Sequence, residues 1–328
     1  MPSLDPAIAE IRLAVRTALA DLPAGSVVLV AVSGGADSLA LAAAVGFEAR
    51  ALDLRAASLT VDHGLQEGSD AVARRAAQTA GSLGLDPLVV TVDVGSAGGP
   101  ENAAREARYG VLRDAALDIG AAAVLLGHTL DDQAETVLLG LARGSGATSL
   151  QGMAPVREDE DGVRWVRPLL GVRRERTRAF CAASALEVWE DPHNADDRFA
   201  RVRVRRSVLP VLEAELGPGI AEALARTAEQ LREDAEAFDE MIHETIEDIV
   251  EHAEAGISVS AAALAANPAA LRNRIIRLVA SSEFGAALTR TQTLEVARLV
   301  TDWSGQGPID LPGCSAARVG GRVVFTAR

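Results

Sequence analysis

Ser33-Gly34-Gly35-Ala36-Asp37-Ser38 packs more potential chemistry into six residues than any other stretch of the chain. The paired glycines let the backbone turn tightly and approach a ligand, so that amides at the start of a following helix can face an anion. Ser33 and Ser38 offer hydroxyls to the same anion, and a carboxylate beside polyphosphate, at Asp37, implies a bridging divalent cation. A second concentration runs from His128 through Asp131 and Asp132 to Glu135. Spacings of three and four along a helix put Glu135 on the same face as both aspartates. Such a cluster binds magnesium, holds an ammonium or takes a proton, although acids in a first turn are also favoured by the helix dipole alone.

Several chemistries are argued against at once. The glycine loop lacks the lysine of a Walker A motif and is not G-x-G-x-x-G. Lysine is absent from the entire chain, which excludes a Schiff-base or other catalytic lysine. Cys181 and Cys314 stand far apart in no C-x-x-C pair, against a disulfide framework, a zinc site or an iron–sulfur cluster.

The elements that must carry these residues alternate. Val27–Val32 is a short, β-branched apolar run, the pattern of a strand buried on both faces, and Ser38–Ala44 has high helix propensity. Strands are expected over Leu54–Leu65, Pro87–Val94 and Ala122–Thr129, with helices opening at Ser69 and spanning Pro100–Gly120. This order predicts an α/β, doubly wound parallel sheet, whose ligands sit beyond the carboxyl ends of the strands. Ser33, Asp62, His63 and His128 all fall there.

Met153–Leu170 reads as a hairpin with an Asp-Gly tip, followed by an arginine-rich helix. Turn residues at Leu209-Pro210 and Glu215–Ile220 divide a first domain, 1–215, from a smaller, mostly helical second domain, 216–328. The latter is expected to hold a long helix from about Ile220 to Ala255, two more helices and a terminal hairpin.

At 328 residues with a net charge of −14, the chain's overall balance disfavours nucleic acid. Charge distribution qualifies this, because Arg164–Arg206 carries eleven arginines against six carboxylates. No apolar run approaches the roughly 20 residues of a membrane span, and the N-terminus is amphipathic with acids, so a cytoplasmic protein without membrane association is expected.

The motifs "SGGADS", "VDHGL", "ENAAREARYGVL", "GHTLDDQAET" and "DPHNADDRFARVRVRRSVLPVL" occur in the order seen in the tRNA(Ile)-lysidine synthetase family of PP-loop ATP-pyrophosphatases. The chain resembles that family over essentially its whole length, in the short form lacking a further C-terminal module. The resemblance implies ATP and Mg2+ as co-substrate and cofactor, with tRNA(Ile) bearing a CAU anticodon and L-lysine as partners. It implies that the wobble cytidine is adenylated and lysine then displaces AMP. ATP contacts are expected from Ser33, Gly34, Gly35, Ala36, Asp37, Ser38, Asp62, His63 and His128, and metal contacts from Asp37 and Asp131. Asp132 and Glu135 are candidates for handling the lysine amine, and Arg108 for stabilising charge at the reacting centre. Arg201, Arg203 and Arg205 are expected to bind tRNA phosphates. Val202 stands where the family often has asparagine.

Competing readings are a PP-loop tRNA thiolase, which needs cysteines beside the motifs, an amidating synthetase, and a non-catalytic ATP-binding regulator, which has no need of the carboxylate cluster.

Overall fold

The computed structural model describes residues 4–64, 68–92, 100–144, 146–253 and 256–328, which form two compact units, Met1–Arg232 and Glu233–Arg328. The first unit alternates as α1 (Pro6–Leu19), β1 (Val27–Ala31), α2 (Ala36–Ala51), β2 (Arg55–Asp62), α3 (Ser69–Ser82), β3 (Asp86–Thr91), α4 (Pro100–Asp118) and β4 (Ala121–Leu125). It continues through α5 (Leu130–Ala142), α6 (Ala147–Leu150), β5 (Val156–Glu158), β6 (Arg164–Val166), α7 (Arg174–Ala183), α8 (Ala200–Arg203), α9 (Leu209–Leu216) and the start of α10 (Ile220–Ile249). The third strand thus ends before Asp93 and Val94, which, like Leu65, lie outside the described residues.

The sheet order is β3-β2-β1-β4-β6-β5, parallel throughout except for the edge hairpin partner β5. The expected doubly wound sheet is therefore present. Its winding reverses beside β1, which pairs with β2 on one side and β4 on the other, and that reversal opens a crevice at the strands' carboxyl ends. The Asp-Gly hairpin tip is held by Asp159, which accepts from Val163 N at 2.9 Å and from Trp165 Nε1 at 2.8 Å.

The phosphate-loop candidate is bolted to the core from both ends. β1 is buried along Val27–Val30, and α2 buries Leu39, Ala40, Leu41, Ala42, Ala44, Val45 and Ala49 on several faces. A helix apolar all round must be enclosed, and α1 and α7 pack against it. Glu48, a charged residue inside this helix, is fully buried but accepts from Arg12 Nε at 2.6 Å and Arg16 Nε at 2.8 Å. Burial opposes ionisation there, yet the two guanidiniums hold the carboxyl below its ordinary value.

In the second unit α10 gives way at Ile249 to β7 (Val250–Ala253), followed by β8 (Gly256–Ser260), α11 (Ala261–Ala266), α12 (Ala269–Phe284) and α13 (Arg290–Thr301). β9 (Ile309–Leu311), β10 (Cys314–Val319) and β11 (Arg322–Ala327) complete a five-stranded antiparallel sheet, β7-β8-β11-β10-β9. The small domain is thus more than helices with a terminal hairpin. β8 is claimed by β11, where Gly256 lies so close to Phe325 that an added Cβ would collide with its carbonyl oxygen.

Candidate active site

A cavity of about 760 Å³ opens at the carboxyl edge of β1, β2 and β4, a volume in the usual range for small-molecule sites. The loop after β1 forms one wall. Gly34 adopts φ +85°, a left-handed conformation that favours glycine, while a Cβ there would make only ordinary contacts with Ala76 and Trp189 at 3.5 and 3.7 Å. Ser38 Oγ donates to Gly35 O at 2.9 Å and accepts from Ser33 N at 3.1 Å, which staples the loop closed. Across the crevice Gly127 approaches so tightly that an added Cβ would lie 3.1 Å from the Asp37 backbone.

Of the residues expected at the site, Ser33, Gly35, Ala36, Asp37, Ser38, Asp62, His63, Arg108, His128, Asp132 and Arg205 line this cavity. Gly34, Asp131, Glu135, Arg201 and Arg203 do not. Asp131 instead accepts from the backbone N of Arg174 at 2.7 Å and pairs with Arg173 at 3.3 Å. Glu135 lies deeper on α5, fully buried, with Arg205 bidentate upon it at 2.7 and 3.0 Å and Arg174 Nη1 donating at 3.0 Å. Arg201 is 3.6 Å from Glu135 and donates to Thr136 Oγ1 at 3.0 Å.

Asp132 completes a capping box with Thr129, accepting from its backbone N at 2.9 Å and its hydroxyl at 2.8 Å. Its other oxygen accepts from Arg174 Nη2 at 2.6 Å. Burial works against ionisation, but Arg174 and these hydrogen bonds outweigh it and leave the carboxyl below its usual value. Asp37 goes the other way. Burial raises it above the ordinary range despite Thr177 and Arg174, whose Nε donates at 3.3 Å.

Three basic side chains lining the cavity have a buried nitrogen without a hydrogen bond, whereas Arg174 and Arg205 are paired with carboxylates. Arg108 has its Nε buried without a hydrogen bond, and burial lowers its pKa with no carboxylate opposing the effect. A desolvated guanidinium facing a cavity suits an anionic ligand. His128 Nδ1 and His63 Nδ1 are likewise buried and unpartnered. Burial pushes His128 down to about 3 and lowers His63 as well, so both imidazoles are neutral at pH 7.

Arg203 is exposed and donates to the backbone carbonyls of Asp197 and Arg198 at 2.8 and 2.9 Å. Val202, between the arginines, is buried at 6 % exposure, so the hydrophobic side chain at this departure faces the core.

In the sequence Arg174 and Arg178 are only members of an arginine-rich run, Gly127 and Asp191–Ala195 stand inside family motifs without an assigned role, and Thr177 carries no signal, yet all of these, with the whole Val188–Ala195 segment, belong to the site region. That segment is tied to the loop by Trp189 N donating to Gly34 O at 3.0 Å. For the arginines the run itself is the signal, and it marks charge without marking direction.

The oxygen donors are consistent with a hard divalent cation. Asp37 on α2 and Asp132 on α5 both line the cavity, and magnesium is commonly held by one or two carboxylates together with substrate phosphates. No group of three or more acids, histidines or cysteines among the described residues forms a self-sufficient metal cage.

This crevice, its glycine loop and its sheet order are those of a PP-loop protein, and residues 10–212 match the PP-loop domain family. A solved structure of the same fold, the U34-tRNA thiolase NcsA from Methanococcus maripaludis with its [4Fe-4S] cluster, superposes with a TM-score of 0.60 at 19 % identity, covering 69 % of this chain and 80 % of that one. Residues 260–324 match the TilS substrate binding domain. The tRNA(Ile)-lysidine synthase of Leifsonia xyli subsp. xyli is 58 % identical across 93 % of this chain and 91 % of its own length. Those of Streptomyces coelicolor and Thermobifida fusca are 50 % and 51 % identical, covering 98 % and 95 % of each chain respectively. The chain belongs to the tRNA(Ile)-lysidine synthase family.

Proposed function

We infer that the protein is a ligase that uses ATP to join L-lysine to C2 of the wobble cytidine in the CAU anticodon of tRNA(Ile), forming lysidine and changing the codon read from AUG to AUA. The observation carrying this reading is the coincidence of full-length family membership with a phosphate-loop cavity that also presents Asp132 and a partner-poor Arg108. Cytidine O2 attacks the α-phosphorus of ATP and the α–β anhydride bond breaks, releasing pyrophosphate. The lysine ε-amine then forms a bond to C2 as the C2–O2 bond breaks, and AMP leaves. The Ser33–Ser38 loop cradles the phosphates, while Asp37 would hold Mg2+, whose role when bound is to neutralise phosphate charge.

Arg108 stabilises negative charge at the reacting centre, a role suited to its desolvation. Asp132 faces the cavity and takes the amine proton, and Glu135 holds Arg174, Arg201 and Arg205 in place beneath it. Asp131 braces the start of α7 and does not line the cavity. Arg203 and the neighbouring exposed arginines contact tRNA phosphates, and the domain over 216–328 contributes further tRNA binding. No helix among the described residues is long and apolar enough to cross a membrane.

The thiolase alternative is disfavoured by its missing nucleophile. Both cysteines are buried, and burial raises the Cys181 thiol to about 11. The test is direct: purified protein, ATP, Mg2+, radiolabelled lysine and tRNA(Ile) with a CAU anticodon should give labelled tRNA containing lysidine. Absence of label with active, folded protein would refute the assignment.

A further inference from the structure

Arg174 has no part in the reaction steps above, yet its side chain meets three of the site's acids. From the first residue of α7 its three guanidinium nitrogens each reach a different carboxylate: Nε to Asp37 at 3.3 Å, Nη2 to Asp132 at 2.6 Å and Nη1 to Glu135 at 3.0 Å. The side chain is 16 % exposed, and its backbone N donates to Asp131. Asp37 forms no other ion pair among the described residues, and Asp132 has one further, longer contact, with Arg205 at 3.5 Å. Glu135, by contrast, keeps Arg205 and Arg201 whatever Arg174 does.

The guanidinium therefore occupies the meeting point of the carboxylates that a divalent cation or a substrate ammonium would use. It cannot leave by losing its proton, because arginine stays charged at any physiological pH. An anion must draw it away. Arg174 lines the same cavity as the phosphate loop, and guanidinium groups pair favourably, often bidentately, with phosphate.

We propose that Arg174 is a positioning residue acting as an internal counter-cation: it keeps Asp37 and Asp132 ordered and masked in the substrate-free enzyme and releases them to cationic ligands once nucleotide phosphates draw it off. Nucleotide binding thereby precedes tight cation binding at these carboxylates. The inference rests on the ATP and magnesium part of the proposed function and not on which tRNA is modified.

The test titrates Mn2+ into the full chain without nucleotide, tRNA or lysine, read by calorimetry and by the electron paramagnetic resonance of free Mn2+. In Arg174→Gln, nucleotide-free Mn2+ affinity should rise by at least about tenfold, the scale expected when a positive charge leaves the immediate neighbourhood of the ion. Adding Asp37→Asn to that variant should abolish the gain, and Arg174→Lys should restore weak binding. A folded Arg174→Gln protein with wild-type Mn2+ affinity overturns the proposal. So does a saturable nucleotide-free Mn2+ site in the wild type that Asp37→Asn removes, a result that needs no Arg174 variant to fold. Failure of the wild type to form lysidine would strike the proposed function instead and leave these titrations readable.

Discussion

Replacing Glu135 with glutamine removes one negative charge from the centre of an arginine cluster while leaving the side chain's shape intact. Glu135 is fully buried and accepts from Arg205 at 2.7 and 3.0 Å and from Arg174 at 3.0 Å. Removing one partner of a buried ion pair costs about 3–5 kcal/mol. The three arginine side chains are 16–30 % exposed and can recover some hydration, and glutamine still offers Oε1 as an acceptor, so the expected loss falls to about 2–3 kcal/mol. The first unit carries Trp165 and Trp189, and the second carries Trp303. Urea denaturation followed by tryptophan fluorescence in a Trp303→Phe background therefore reports the first unit. Lysine transfer should fall as well, because Arg174 and Arg205 lose the carboxylate that aims them, and about 10²–10⁴-fold would be lost if Glu135 were itself the proton acceptor. A change in unfolding free energy below about 0.5 kcal/mol, the level of ordinary surface substitutions, would refute the description of Glu135 as the buried anchor of the cluster.

Asp37→Ala should abolish pyrophosphate release while leaving tRNA binding intact, and wild-type turnover at saturating magnesium would remove this carboxylate from the mechanism. Arg203→Gln should lower the salt dependence of tRNA binding by about one unit of slope, since this exposed guanidinium is not committed to a carboxylate, and an unchanged slope would place the phosphate contacts elsewhere. Burial holds the folded pKa of His128 at about 3 against about 6.5 unfolded, so between those values the unfolded chain binds a proton that the native state refuses. Stability should therefore fall as pH drops below about 6.5, by at most about 2 kcal/mol at pH 5 from this group, and His128→Gln should flatten that part of the profile in urea titrations. An equally steep profile in the variant would assign the acid sensitivity to other groups.

What the sequence disclosed was largely local. β1, the glycine loop and α2 are legible because strand, turn and helix signals follow one another within about two dozen residues, and the buried run Val27–Val30 leaves little choice of face. The strand β7 is not legible, because Val250-Glu251-His252-Ala253 continues the helix-forming composition of α10 and becomes a strand only by pairing with β8. The carboxylate cluster was visible from helical spacing, but its partners were not. Arg174 meets Asp37 across 137 positions of sequence, and nothing in a run of arginines distinguishes the one that points inward from those that meet solvent. Asp131 shows the same limit in reverse, since its spacing with Glu135 is right while the fold spends it on the start of α7.

The cations on the cavity wall, Arg108, Arg174, Arg178, Arg205 and Arg206, are all arginines. An activated cytidine is an electrophile waiting for a primary amine, and a lysine on that wall would be an amine already in place, competing with the substrate and trapping the tRNA on the protein. Guanidinium groups provide the same positive field without a usable lone pair at neutral pH. On the proposed function such a wall attracts phosphate while remaining unreactive toward the adenylated intermediate, and lysine, the amino acid to be transferred, is one this chain never uses.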